Sequence, residues 1–108
     1  MSNAKISRLD EVAEAVEALV FVATNSGSTE VKSNVLKALD AVNGYIFDGS
    51  GDDIGQAMAW TAHALVACTD ISHVGSLLTA WAVLRDILRK NSLALGTTDL
   101  ALLKEIAK

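Results

Sequence analysis

Apolar residues recur every three or four positions along most of this chain, which is the periodicity of one buried face of an α-helix. No segment alternates between apolar and polar residues for long enough to predict a β-strand. The spacing therefore predicts an all-α fold with at least four helices. In chain order, their apolar faces are formed by Leu9, Val12, Val16, Leu19 and Ala23; by Val31, Val35, Leu39, Val42 and Ile46; by Ile54, Met58, Thr61, Leu65 and Cys68; and by Val74, Leu77, Leu78, Trp81, Leu84 and Leu88.

The breaks between these apolar faces predict where the helices begin and end. The first helix runs from Ser7 to the segment Asn25–Ser28. Ser28 or Thr29 can cap the second helix, because a side-chain hydroxyl accepts a hydrogen bond from a free backbone N–H. A short turn at Asp70–Ser72 separates the third helix from the fourth.

A short final helix is predicted to open at Thr97 or Thr98, with an apolar face formed by Leu100, Leu103 and Ile106. The whole fold is then a four- to five-helix bundle. At 108 residues the chain has the size of one domain, which we assign to residues 7–108. We expect residues 1–6 to be a disordered or cloning-derived N-terminus.

The segment Phe47–Gln56 is rich in glycine and aspartate, and three functional interpretations compete with a plain connection. A dinucleotide loop follows a strand, whereas the preceding residues are predicted to be helical, and Asp52 would repel phosphates. A calcium loop starting at Asp48 needs glycine at its sixth position and glutamate at its twelfth, where this chain has Asp53 and Ala59. A P-loop lacks its Lys-Ser/Thr pair. We therefore predict an ion-free connection, with an aspartate capping a third helix that starts after Asp52 or Asp53.

Four side chains of metal-binding type lie close together in the sequence, namely His63, Cys68, Asp70 and His73. His63 and Cys68 are five positions apart, about 140° around a helix axis, so they cannot bind one ion together. We expect Cys68 to be buried and His73 to lie at the surface or near a helix cap. A Cys-His nucleophile pair stays open, but nothing in the sequence selects it. We predict no metal site, no cofactor and no catalytic residues.

Composition narrows the kind of partner. The chain has 13 acidic and 9 basic residues and a net charge of −4, which disfavours nucleic acid because phosphate binding needs a basic surface. One cysteine allows no internal disulfide. We see no signal peptide and no span without polar interruptions, and we expect a cytoplasmic protein without a membrane segment.

A shortage of charge is the least ordinary feature of the sequence. Asp70 is the only formal charge between Ile54 and Leu84, so two consecutive helices have few groups that favour water. A weakly polar row on the third helix carries an aromatic ring, and Phe21 continues the acidic row of the first helix. Aromatic rings on such faces are candidate interface anchors, which predicts a homodimer or another protein contact. The predicted interface residues are Trp60, Gln56, His63 and Phe21; the acidic row comprises Asp10, Glu14 and Glu17.

The sequence alone thus favours a small helical protein–protein interaction module, a homodimer that binds and modulates a larger protein, such as a bacterial or phage inhibitor, anti-activator or immunity protein. One alternative is a ligand-binding or enzymatic bundle with an apolar pocket lined by Met58, Trp81 and Cys68. A second alternative is a nucleic-acid regulator that uses the basic end of the fourth helix, formed by Arg85, Arg89 and Lys90.

Overall fold

A computed structural model of the protein describes residues 2–90, with side chains from residue 6 onward. These residues form four α-helices and no strand: α1 (Ser2–Asn25), α2 (Thr29–Asp48), α3 (Gly51–Ala67) and α4 (Ile71–Lys90). The predicted all-α fold is confirmed, since each of the four apolar faces lies on its own helix. The predicted final helix with Leu100, Leu103 and Ile106 lies outside the described residues.

The four helices pack as a ring around one core. Each helix packs against the next one along the chain, and α4 packs against α1. The connections contain only two or three residues, so consecutive helices run antiparallel. This is the arrangement of an up-and-down helical bundle.

The core is built from large aliphatic residues that alternate with alanines. Predicted residues such as Leu19, Met58 and Leu84 are fully buried. The alanines were not among the predicted core residues; they let neighbouring helix backbones approach closely where a larger side chain would not fit. The buried alanines of the core cluster are Ala15, Ala38, Ala41, Ala57, Ala64 and Ala80.

Two residues that the sequence predicts to lie in the core are exposed instead. Leu9 on α1 and Leu78 on α4 are exposed to about half of their full extent. The buried face of α4 instead follows Leu77, Ala80 and Leu84, because α4 must face both α3 and α1 in the ring. Relative to the predicted face, the buried face of α4 is rotated around the helix axis by about half of the 100° that separates successive residues.

The start of α1 also differs from the prediction. α1 begins at Ser2 rather than at Ser7, so residues 2–6 belong to this helix. The physical reason is the lack of any glycine or proline before Gly27, which leaves no residue that would stop the helix. The predicted cap of α2 is confirmed, because Ser28 Oγ accepts a hydrogen bond from the Val31 N–H at 3.2 Å.

The glycine–aspartate segment connects two helices with only two residues. Gly49 adopts φ 72°, and its N–H donates to the Tyr45 carbonyl at 2.7 Å, which ends α2. Glycine tolerates this left-handed conformation at little steric cost. The predicted start of α3 after Asp52 or Asp53 is wrong. Ser50, directly before α3, caps the helix instead. Its Oγ accepts a hydrogen bond from the Asp52 N–H at 3.2 Å, so a free N–H group of the first turn is satisfied.

A partly buried polar cluster joins α1 to the end of α2. Arg8 donates from Nε to the Ile46 carbonyl at 2.9 Å and from Nη2 to the Phe47 carbonyl at 3.1 Å. Both carbonyls lie in the last turn of α2, and a cation here offsets the partial negative charge of the helix end. Tyr45 donates its hydroxyl hydrogen to Glu11. Burial, and then the hydrogen bond and charge of Glu11, raise the pKa of Tyr45 to about 12.

Ionisation of Tyr45 can be followed directly, because it is the only tyrosine of the chain. We expect its absorbance near the phenolate band to titrate with a pKa of about 12, instead of the ordinary value of 10.0. A raised folded-state pKa means that stability is intact below pH 10 and is lost as the pH rises from about 10 towards 12. Glu11→Gln should lower the pKa of Tyr45, but not to 10, because burial remains. Glu14→Gln, on the exposed side of α1, is the control and should change nothing; a wild-type pKa near 10 would contradict the cluster.

Candidate interaction surfaces

The first predicted interface residue, Trp60, lies between α2 and α3. Its ring is partly buried and packs against the core. Lys37 Nζ on α2 lies 4.5 Å from the ring centroid, a cation–π contact, and the His63 ring lies 5.6 Å away. Gln56 and His63 are exposed beside it on α3. The structure therefore brings Trp60, Gln56 and His63 together on one surface, where Trp60 is only partly available to a partner.

An acidic crevice adjoins Trp60 in the groove between α2 and α3. Asp53 lines it, and its pKa is raised by burial first and then by the negative charges of Asp48, Asp52 and Asp40. The two helices approach closely here. A Cβ atom added to Gly44 would lie only 2.9 Å from Asp53 Oδ2, so a larger residue than glycine would be too close. Such a crevice attracts a cationic group. Within the described part of the chain, however, no three His, Cys, Asp or Glu side chains are placed to hold a metal ion.

Phe21 lies on a different side of the bundle from Trp60. It is about half exposed, and the edge of its ring contacts the His73 ring at a centroid distance of 5.7 Å and an angle of 81°. His73 belongs to α4, whereas the partner of Trp60 belongs to α2. The structure therefore separates Phe21 from the other three predicted interface residues.

His73 is buried rather than at the surface, but it lies at the start of α4, near a helix cap, which is the other position predicted for it. It lies in the first turn of α4, where the packing of α1 on α4 and the Phe21 ring cover it. Its Nδ1 is 3.7 Å from Asp70 Oδ2. The Asp70 carboxylate accepts from the Ser72 N–H at 3.0 Å and from the Ser72 hydroxyl at 2.7 Å, and these bonds lower the pKa of Asp70.

A thiol, an imidazole and a carboxylate line one crevice at this end of the bundle, together with residues of the α1–α2 connection. Cys68 is only partly buried, whereas the sequence predicts that it is buried. Its Sγ donates to the Asp70 carbonyl at 3.4 Å, and not to His73. The Asp70 carboxylate is engaged by Ser72 as a helix cap. The hydrogen bonds of these groups thus close a turn and start α4.

α1 carries an exposed apolar stripe that the sequence analysis missed. Ile6, Leu9 and Val20 are 54%, 48% and 46% exposed, and Ala13 between them is exposed as well. We call these four residues the α1 seam. Their spacing of three, four and seven positions places them on one side of the helix. The spacing is present in the sequence, but the sequence prediction places Leu9 in the core and Ile6 in the N-terminal extension.

Further large apolar side chains are exposed at separate places. Val66 and Ile71 are the most exposed of them and flank the connection between α3 and α4. The others in this group are Leu36 and Phe47 on α2 and Leu78 on α4. Exposed apolar residues are ordinary when they are single, and they indicate an interaction surface when they are contiguous.

The structure shows where the residues of the two alternative functions, the apolar pocket and the basic end of α4, are placed. Met58 is buried in the core, whereas Cys68 lies ten positions further along at the end of α3, about 15 Å along a helix axis, so these two do not line one pocket. At the basic end of α4, Arg85 Nη2 lies 3.7 Å from Asp86 Oδ1, and its guanidinium lies 5.4 Å from the Trp81 ring. Arg89 and Lys90 are exposed in the last turn, where cations stabilise the helix end.

Among the helices of residues 2–90, none has both the length and the apolar character needed to cross a membrane. Comparison of the chain with protein-family models, with curated proteins and with solved structures finds no match. The candidate surfaces therefore rest on their own geometry.

Proposed function

We propose that this protein is a small helical protein–protein interaction module that self-associates as a homodimer and binds and modulates a larger protein. The observation that carries the proposal is the α1 seam. A chain that buries Leu19 and Val22 on one side of α1 leaves Ile6, Leu9 and Val20 exposed on another side of the same helix. Exposed apolar residues aligned along one side of a helix favour a protein partner.

The occupant that best fits the α1 seam is a second copy of α1. Ile6, Ala13 and Val20 are seven positions apart and correspond to position a of a heptad, while Leu9 corresponds to position d. β-Branched residues at a with leucine at d favour two parallel helices. Such a contact has two-fold symmetry and is self-complementary. The acidic row lies on one side of the seam only, so parallel packing keeps the two acidic rows on opposite sides of the dimer.

The four interface residues predicted from the sequence, none of which belongs to the α1 seam, are candidates for contact with the larger protein. Trp60, Gln56 and His63 form one surface beside an acidic crevice, and Phe21 adjoins the acidic row of α1. Negative charge beside aromatic rings is complementary to a partner surface that carries lysine or arginine. The proposal therefore assigns a basic surface to the larger protein.

Self-association is tested by sedimentation velocity from low to high micromolar concentration. We expect the wild type to form dimers, and Leu9→Glu to weaken dimerisation at least about tenfold, which corresponds to about 1.4 kcal/mol, because a charge would be buried in the seam. Leu9 is exposed in the single chain, so far-UV circular dichroism should show unchanged helical content.

The matched control is Ser7→Glu, an exposed position on α1 outside the seam, which should dimerise like the wild type. A wild type that stays monomeric at high micromolar concentration would refute the homodimer. Equal weakening by Ser7→Glu would mean that net charge, rather than the seam, controls association. Trp60→Glu, examined in parallel, distinguishes a surface position from a core position: unchanged helicity and unchanged dimerisation support a surface that is free for the larger protein, and unfolding supports a core position.

A further inference from the structure

The acidic crevice beside Trp60 combines two kinds of group that attract a cation. It has a volume of about 380 Å³ and lies between α2 and α3. Asp40 and Asp48 of α2 and Asp53 of α3 line it with carboxylates, and the Trp60 indole lines it with an aromatic ring. Asp53 and Trp60 are partly buried, so a group bound between them is partly removed from water. Carboxylates and the face of an indole both favour a positively charged ligand.

The negative charge of the acidic crevice is not neutralised by the described part of the chain. Among residues 6–90, no ion pair is found for Asp40, Asp48 or Asp53. Burial, and then the negative charges of Asp48, Asp52 and Asp40, raise the pKa of Asp53. Repulsion between neighbouring carboxylates is relieved when a cation binds among them.

Lys37 shows that the Trp60 ring accepts a positive charge. Its Nζ lies 4.5 Å from the ring centroid, and its side chain lines the acidic crevice. Lys37 is exposed, and it contacts the ring without forming an ion pair with Asp40. An exposed cation–π contact of this kind is weak, so a cation that reaches both the ring and the carboxylates can displace the Lys37 ammonium.

We propose that the acidic crevice binds an arginine side chain of the larger protein, which displaces Lys37 from the Trp60 ring. A guanidinium group is planar, stacks on an aromatic face and donates to two carboxylate oxygens at once. It can therefore use the Trp60 ring and Asp53 together, whereas the compact ammonium of a lysine is a point charge. The arginine belongs to the larger protein, so this site rests on the proposed function.

Leu36 extends this surface beyond the acidic crevice. It is 58% exposed and borders a shallow hollow on α2 together with Lys37 and Asp40, both of which also line the crevice. Leu36 and Asp40 are four positions apart, so they lie on the same side of α2. An apolar residue close to the arginine of the partner would therefore cover Leu36.

The test uses the peptide acetyl-Leu-Ala-Ala-Arg-amide, which is titrated into the ¹⁵N-labelled full chain and followed by NMR. The chain has two tryptophans, so the Trp60 indole N–H reports on the crevice and that of Trp81 on α4 is an internal reference. We expect a saturable shift of the Trp60 resonance with a Kd of about 1 mM, because each exposed contact is weak, and no shift of Trp81. Peptides with the neutral isostere citrulline, or with lysine, in place of arginine should bind about tenfold and about threefold more weakly.

Two matched pairs of variants locate the site. Asp53→Asn should weaken binding of the arginine peptide about fivefold or more, whereas Asp10→Asn on α1 should change it less than about twofold, because physiological salt screens a distant charge. Lys37→Gln should strengthen binding about threefold, because the competing ammonium is removed from the ring, and Lys32→Gln should not. Well-dispersed spectra show that each variant is folded.

Four results would each overturn the proposal: no saturable shift of Trp60, equal affinity for the citrulline or the lysine peptide, equal weakening by Asp10→Asn, or no gain in affinity in Lys37→Gln. The homodimer is tested separately, because Leu9→Glu changes the α1 seam and leaves the crevice intact, so it should bind the arginine peptide like the wild type. A wild type that dimerises without binding the peptide overturns the arginine site alone. A monomeric wild type that binds the peptide supports this site and overturns the homodimer alone.

Discussion

Replacing Leu77 by alanine is expected to lower the free energy of unfolding by about 2–5 kcal/mol, and replacing the adjacent Leu78 by less than about 1 kcal/mol. Leu77 is fully buried in the core, whereas Leu78 is 51% exposed. The alanine variant of Leu77 loses the transfer free energy of the removed atoms and leaves a cavity. Urea denaturation of both variants measures the difference.

The pair is a matched test of how α4 is turned, because the two residues have the same chemistry and adjoin in the sequence. Apolar spacing permits both leucines on one buried face, and only the ring of four helices chooses between them. Similar losses from the two substitutions would show that the buried face of α4 is turned towards Leu78. A larger loss from Leu78→Ala would contradict the structure outright.

The helices could be predicted from the sequence because their causes are local. Apolar spacing, the Ser28 cap and the glycine at the end of α2 act within a few residues of one another. The exact face that each helix buries could not be predicted in the same way. It depends on two neighbouring helices at once, which is why alanines such as Ala57 and Ala80 enter the core and Leu9 leaves it.

The candidate site was harder to predict than the fold, since it combines residues from different helices. Gln56, Trp60 and His63 are spaced to share a face of α3, and the structure brings them together. Phe21 is on a helix that does not adjoin α3 in the ring, so its separation from Trp60 follows from topology, which the sequence pattern does not encode. Burial of His73 likewise depends on a ring from another helix.

Trp81 is the second residue whose replacement we expect to cause a large loss of stability. Its ring is partly buried and packs against the core, so Trp81→Ala should lower the free energy of unfolding by about 3 kcal/mol, the low end of the range for a large aromatic residue. A ring at this position contributes mainly by the apolar area that it buries. Urea denaturation measures the loss, and a value below about 1 kcal/mol would place the ring outside the core.

Trp81→Phe separates the ring from its polar group. Nε1 is buried and finds no acceptor among the described residues, and an unpaired buried donor costs about 1–3 kcal/mol. Phenylalanine removes that donor while it keeps most of the apolar contact, so the relief should offset much of the smaller ring volume. We expect Trp81→Phe to cost less than about 1 kcal/mol, well below the alanine variant. If phenylalanine costs as much as alanine, Nε1 has a hydrogen-bond partner, and the stability at this position comes from that bond rather than from packing.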